Sequence, residues 1–304
     1  MSYLLFSVAS GIFLAEGTLH VPRLPLRHFS RIDRKYRSRF NAALTSLSVV
    51  AGDGAVLRGW YAQPSTYNGN SVLLLHGVGD NREGMAGYAE LFLGKGYAVL
   101  LPDSRAHGES GGQLVTYGLL ESDDVYRWVE WLRTQSNPSC VYGLGESMGA
   151  AIVLQSLKTR PGFCAVVAES PFSTFREVAF DRVGYYIGLG QWCGRTIARL
   201  PVDLALAYVR LRYKVNLLNA NPEDAVRESN TPVLLIHGES DRNILPWHSR
   251  ELASADSNAT LWLVPHAHHT GAWSTDPAEC EQRVLTFLSI HSRATSPSTL
   301  SATP

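Results

Sequence analysis

The sequence predicts an α/β fold: a doubly wound, mostly parallel sheet with helices on both faces. Three observations carry that prediction. Short, strongly apolar runs recur from about residue 47 to residue 264. Stretches of amphipathic, helical pattern separate them. The chain is 304 residues long and 45 % hydrophobic, enough to bury one sizeable core. Consecutive apolar residues in runs too short for helices suit strands covered on both sides. Their alternation with helices puts those helices on both faces of the sheet.

The elements follow in chain order. Residues 1–43 open with an apolar stretch, Tyr3 to Ala15, whose first charge is Glu16. Arg27, Arg31, Arg34, Lys35, Arg37 and Arg39 come after it, opposed only by Asp33. Thirteen apolar residues fall short of the roughly 20 that a membrane-spanning helix needs. A cleaved signal would carry its positive charge ahead of the apolar run. Three readings stand open: a helix packed on the domain, a secretory signal, or a membrane-associated anchor. In the last, the trailing basic residues would keep the segment at the cytoplasmic face. The main body spans residues 44–291. Leu47-Val50 and Val56-Ala62 flank Gly52-Asp53-Gly54 and read as a hairpin. Val72-Leu75, Ala98-Leu101, Cys140-Tyr142, Ala165-Ala168, Val233-Ile236 and Leu261-Val264 read as buried strands. Glu83-Lys95, Leu119-Thr134, Ala150-Lys158, Pro246-Ala255 and Pro277-His291 read as the helices between and after them.

The rhythm breaks between residues 171 and 220. That segment is strand-poor and carries Phe172, Phe175, Phe180, Tyr185, Tyr186, Trp192, Tyr208 and Tyr213. It is read as an inserted helical lid over the carboxyl end of the sheet. The tail from Ser292 to Pro304 is rich in Ser, Thr and Pro and is expected to be disordered.

Composition removes several classes of partner. Basic and acidic residues balance at 27 each, so the whole chain carries no electrostatic pull toward nucleic acid. Cys140, Cys164, Cys193 and Cys280 lack metal-ligand spacing and form no disulfide scaffold. Cys140 and Cys164 lie in apolar runs and are expected to be small buried hydrophobes, which points to a reducing compartment. No cofactor and no metal is called for.

The chemistry begins at Cys140-Val-Tyr-Gly-Leu-Gly-Glu-Ser-Met-Gly-Ala150, an apolar strand running into G-x-S-x-G and then a helix. A serine on such a turn has its hydroxyl pushed out toward substrate. Gly145 and Gly149 suit the close approach of backbones there. A serine hydroxyl needs a base, and the base needs an orienting acid. In an open parallel sheet these gather after the carboxyl ends of strands. Val233-Leu-Leu-Ile-His-Gly-Glu-Ser-Asp241 supplies Asp241, with Glu239 nearer the strand and Glu169 a second candidate. The last strand is followed by His266, His268 and His269. His269 is the expected base and His268 the alternative; a metal cluster is disfavoured because no carboxylate or cysteine stands beside them. The backbone N–H groups of Val78, in Leu75-His76-Gly77-Val78-Gly79, and of Met148 are the expected oxyanion donors. His76 and His237 are read as buried structural residues. The polar run Asp103-Ser-Arg-Ala-His-Gly-Glu-Ser110 is read as cross-linking its own loop.

Together these motifs resemble the α/β-hydrolase family over about residues 45–291, most of all the serine aminopeptidase-like and lid-bearing hydrolases. The resemblance implies Ser147 as nucleophile, Asp241 as acid and His269 as base; it does not carry over the substrate, expected here to be a small acyl compound, because the fold hosts many reactions. The chain departs from the family at His266 and His268, where small residues are common. The leading expectation is ester hydrolysis through an acyl-enzyme. The rivals are amide or aminopeptidase cleavage on the same residues, a catalytically inactive binding module, and a membrane-tethering scaffold that rests on residues 1–40.

Overall fold

The computed structural model describes residues 2–159, 161–188 and 190–292; most of the tail expected to be disordered lies outside them. All eight expected strands are present. They are β1 (Thr45–Val50), β2 (Val56–Ala62), β3 (Asn70–Leu75), β4 (Ala98–Pro102), β5 (Cys140–Glu146), β6 (Ala165–Glu169), β7 (Val233–Gly238) and β8 (Ala259–Val264). They form one sheet in the order β1-β2-β4-β3-β5-β6-β7-β8. β1 and β2 are an antiparallel hairpin, β2 is antiparallel to β4, and the rest is parallel.

The helices are α1 (Ser2–Leu19), α2 (Phe29–Phe40), α3 (Ala86–Gly94), α4 (Glu121–Ser136), α5 (Met148–Ser156), α6 (Phe175–Tyr186), α7 (Gly190–Arg195), α8 (Arg199–Tyr213), α9 (Pro222–Arg227), α10 (Trp247–Ala255), α11 (Ala272–Thr275) and α12 (Pro277–Ile290). Their ends follow local chemistry. Three acids sit in the first turn of α4, where the helix dipole favours them. Asp276 caps α12 by accepting from the Glu279 N–H, and Pro277 follows it at the first helical position.

Alternate residues of the central strands face opposite layers, as the two-residue period requires. Val72 and Leu74 pack with residues of α2, α3 and α12. Leu73 and Leu75 pack with residues of α4, α5 and α10. This is the doubly wound arrangement. One strand departs from the expectation of burial on both faces: β8 is the sheet edge, and its residues alternate between covered and partly exposed.

A third apolar cluster lies outside the two sheet layers. It joins α1 to α6 and α8 through Ala15, Leu19, Phe172, Phe175, Val178, Ala205 and Val209. The first apolar stretch is therefore a helix packed on the domain, which was one of its three readings. No helix among the described residues is long and apolar enough to cross a membrane. The basic stretch after it does not stay free. Lys35 and Arg39 pair with Glu90 of α3, and Arg37 pairs with Asp33.

Two expectations about cysteine are overturned. Cys140 and Cys164 are joined in a disulfide, their Cα atoms 5.6 Å apart. They are 24 residues apart in sequence. The parallel register sets Tyr142 opposite Ala165 and brings the two cysteines side by side at the start of their strands. Stable disulfides belong to oxidising surroundings, so the argument for a reducing compartment falls with the pairing. Cys193 and Cys280 are free and buried.

The loop after β4 cross-links as expected. Asp103, fully buried, accepts from the Arg82 N–H (2.9 Å), from Arg82 Nη1 (2.8 Å) and from the Glu109 N–H (2.7 Å). Arg105 makes a two-pronged pair with Asp124, both bonds 2.7 Å, and a third to Asp53 at 2.8 Å. Losing one partner of a buried ion pair strands the other charge, which costs about 3–5 kcal/mol. Asp103→Ala should therefore lower the urea-unfolding free energy by roughly that amount. A loss within experimental error of zero would show that Glu109 alone satisfies Arg82.

Candidate active site

β5 ends at Glu146 and α5 begins at Met148, so Ser147 makes the whole turn. Its backbone has φ 54° and ψ −115°, a conformation that L-residues avoid. The surroundings enforce it. A Cβ at Gly149 would stand 2.2 Å from the Leu75 carbonyl oxygen, and one at Gly145 would stand 2.3 Å from the Gly149 carbonyl oxygen. Only glycine lets the start of α5 come that close to the end of β3. The Ser147 N–H donates to the Glu169 carbonyl (2.8 Å), which ties the turn to β6 as well.

Three loops at the carboxyl end of the sheet bring the expected residues together. Ser147 Oγ lies 2.9 Å from His269 Nε2, and His269 Nδ1 lies 2.8 Å from Asp241 Oδ2. The second Asp241 oxygen accepts the N–H groups of Asn243 (2.8 Å) and Ile244 (3.0 Å). Burial alone would raise the Asp241 pKa. The bonds from His237 and His269 outweigh it and hold the carboxyl well below the usual range. A carboxylate so placed keeps the His269 proton on Nδ1 and turns the Nε2 lone pair toward the serine hydroxyl. The arrangement can take a proton from Ser147 and hand it on to a leaving group.

The rejected alternatives have other partners. His268 is exposed, with Nδ1 3.2 Å from the Ser240 carbonyl. Glu239 is exposed. Glu169 accepts from Tyr88 Oη (2.7 Å) and from the Ala272 N–H (2.9 Å), so it anchors the turn after His269 instead of bonding the imidazole. His237 is buried, with Nδ1 2.7 Å from Ser249 Oγ, as a structural histidine should be. Its Nε2 also stands 3.3 Å from Asp241 Oδ2, a second prop for the acid that sequence spacing does not reveal.

Val78 and Met148 both border the same cavity as Ser147. Met148 opens α5, so its N–H has no partner within the helix. The loop carrying Val78 is held by two histidines in edge-to-face contact, His76 and His107. His107 Nε2 accepts from the Gly79 N–H (3.1 Å), and His76 Nε2 accepts from the Ser104 N–H (3.0 Å). Both rings must be neutral to accept there. Burial holds their pKa values down, that of His107 at about 4.

The cavity measures about 580 Å³, within the range of small-molecule sites. Of the eight aromatics named in the segment read as an inserted lid, Phe172, Phe175 and Tyr186 line it. The other five named aromatics do not. Tyr208 and Tyr213 instead donate to Glu16 of α1. Aliphatic residues of α6 and α8 line it too, as do Phe13, Leu14 and Val21. The contribution of the first helix was not legible in sequence, because it depends on α1 packing against α8. Among the described residues bordering the cavity Arg182 is the one that carries charge, and it is engaged by Asn243 and Tyr186.

The fold, the serine turn and the order of the three loops agree with a family match covering residues 72–283, described as the alpha/beta hydrolase family. The chain belongs to the α/β-hydrolase family. It is thus placed among hydrolases. Relatives include YqkD of Bacillus subtilis, a protein of uncharacterised function, 27 % identical over 80 % of this chain and 79 % of its own. Human monoglyceride lipase is 26 % identical over 64 % of this chain and 72 % of its own. Among solved structures, the Pyrococcus furiosus esterase Pf2001 superposes with a TM-score of 0.72 at 23 % identity, covering 90 % of this chain and 98 % of the esterase. At that identity the superposition speaks for the fold.

The neutral histidines set a pH dependence. Unfolded histidine takes up its proton near pH 6.5, whereas folded His107 resists protonation down to about pH 4. Its linked stability is complete above pH 6.5 and is lost as pH falls toward 4, by up to about 3 kcal/mol for this group. His107→Gln should flatten the fall of unfolding free energy across that window, measured in urea at stepped pH. An unchanged slope would remove His107 from the account.

Proposed function

We propose that the protein is a serine hydrolase that cleaves esters of apolar acyl groups through an acyl-enzyme. One observation carries the reading: the hydrogen-bonded chain Asp241–His269–Ser147 ends at a cavity walled by apolar side chains. His269 takes the Ser147 proton as Oγ attacks the ester carbonyl. The Val78 and Met148 amides hold the developing oxyanion. His269 then protonates the departing alcohol oxygen, and water, deprotonated in turn by His269, releases the acid. The helices of residues 171–220 act as the lid over the acyl chain. No cofactor enters any step.

Cleavage at a free amino terminus fits less well. An ammonium group needs a carboxylate in the cavity, and no acid is among the residues bordering it. The candidate anchors are taken: Glu177 and Asp181 pair with Arg195, and Asp203 with Arg176 and Arg199. A binding module without catalysis would not need His269 and Asp241 in register with the serine.

Ser147→Ala should abolish ester hydrolysis, at a typical cost of about 10⁴–10⁶ in kcat, while circular dichroism and melting stay close to the parent. His269→Ala should be comparably damaging, His268→Ala mild, and Asp241→Asn should cost up to about 10⁴ by favouring the wrong tautomer. Full turnover in a folded Ser147→Ala protein would end the reading. The cavity adds a second expectation. Across p-nitrophenyl esters from acetate upward, each methylene that reaches the apolar wall should raise kcat/KM by up to about fourfold, until the space is filled. Flat or falling values, or preference for aminoacyl amides, would favour the peptidase reading.

A further inference from the structure

We infer that the outer face of α1, with the adjoining surface of residues 185–197, docks on an anionic lipid surface, and that the acyl cavity fills from the bilayer. The inference rests on the ester-hydrolase reading for its substrate class, a lipid-borne ester, but the docking itself does not.

A helix on the surface of a soluble domain ordinarily turns its large apolar residues inward. α1 does the reverse. Its buried positions are Ser7, Gly11, Ala15 and Leu19. Leu4, Leu5, Phe6, Val8, Ile12 and Phe13 are exposed. The inward face is committed to the protein. A Cβ at Gly11 would stand 2.9 Å from the Pro201 carbonyl oxygen, and Tyr3 Oη donates to the Ile197 carbonyl at 2.8 Å. Glu16, the one charge of the helix, accepts from Tyr208 and Tyr213. Tyr186, Ile187, Trp192 and Ile197 are at least half exposed in the neighbouring segment. An apolar face of this extent marks an interaction surface.

Two observations select lipid. Phe13 and Tyr186 border the cavity that holds Ser147, yet are 79 % and 68 % exposed. The cavity therefore emerges on this face. Charge is the second. Within α1 and residues 185–197 the charged side chains are Glu16 and Arg195, and both are engaged, Glu16 by Tyr208 and Tyr213 and Arg195 by Glu177 and Asp181. α8 runs out into Arg210, Arg212 and Lys214, all exposed. An apolar face rimmed by these basic residues beside the last turn of α1 complements anionic headgroups, whereas a second copy would bring the like-charged rims together. With no spanning helix among the described residues, the face would lie in the interface plane.

Deleting residues 1–40 would strip the cavity wall, so point variants are the better test. Leu5 and Phe6 are exposed and border no part of the cavity. Full-length Ser147→Ala protein, unable to hydrolyse lipid, is sedimented with vesicles of phosphatidylcholine alone or mixed with phosphatidylserine. It should bind the mixed vesicles more tightly, weaken with salt, and lose about tenfold or more in affinity with Leu5→Glu and Phe6→Glu combined. The same pair in the parent should leave p-nitrophenyl acetate turnover unchanged, which certifies its fold. Independently of these variants, brominated lipid should quench a part of the fluorescence that Trp192→Phe removes. Protein left in the supernatant with both vesicles, equal binding by the Glu variant, or a dimer that the same substitutions split would overturn the proposal. Vesicle binding without any esterase activity in the parent would sink the hydrolase reading and leave the docking surface standing.

Discussion

The site depends on a backbone contact. α5 enters the protein so near the end of β3 that no side chain fits at Gly149, and the turn before it leaves Ser147 at positive φ. A strained residue persists only where its neighbours leave no other course. Here they are the Leu75 and Gly149 carbonyls and the Glu169 carbonyl that takes the Ser147 N–H. From that contact several consequences follow. The serine hydroxyl faces the loops at the carboxyl ends of β7 and β8. The first turn of α5 presents its free N–H groups to the same space. The loop after β3, which carries Val78, lies directly beside it, since a Cβ on Gly77 would stand 3.4 Å from Ser147 Cβ.

Placing charge and polar groups this deep requires pairing for nearly every one. Asp241 is buried, yet accepts two backbone N–H groups and faces two histidines, so it remains ionised where burial alone would protonate it. Arg82 and Arg105 are treated alike, each locked by carboxylates. The neutral pair His76 and His107 solves a different problem. Loop amides that would otherwise be unsatisfied find ring nitrogens, and the loop beside the serine is held without adding charge. The proposed stabilisation of a transient oxyanion would use a preorganised, low-charge wall of this kind, because no reorientation is needed when the charge develops.

Two of the stretches that line the cavity lie far apart in the chain. α1 packs along α8, and side chains from both face the serine. This makes the first helix part of the cavity wall as well as of the surface. It also explains why Glu16 is tied to Tyr208 and Tyr213: the one charged residue on an apolar helix is satisfied by the helical segment on which it rests. Disturbing α1 would therefore reach the cavity beside Ser147.

Much of this was legible in the chain itself. Six strands could be read because consecutive apolar residues such as Val72-Leu75 and Val233-Ile236 suit strands covered on both faces, and β1 and β2 from the Gly52-Asp53-Gly54 turn between them. The serine turn could be read because its glycines are demanded by steric contact, which leaves a local mark. Asp241 and His269 could be placed in their loops by chain order, although one of three nearby histidines had to be chosen, and only the loop geometry separates His269 from His268. What the tertiary structure alone decided were relations across sequence distance. Cys140 and Cys164 read as separate hydrophobes until the β5–β6 register brings them together. The trailing basic residues read as free until α2 lies along α3 and Glu90 takes two of them. Above all, the sequence of α1 is simply apolar, which fits burial, anchoring or secretion equally. Its choice of small residues for the inward face, and of Phe13 for both the cavity and the surface, exists only once α8 supplies the surface against which it packs. Periodicity reports which face of an element differs from another, whereas the partner that meets that face is a property of the fold.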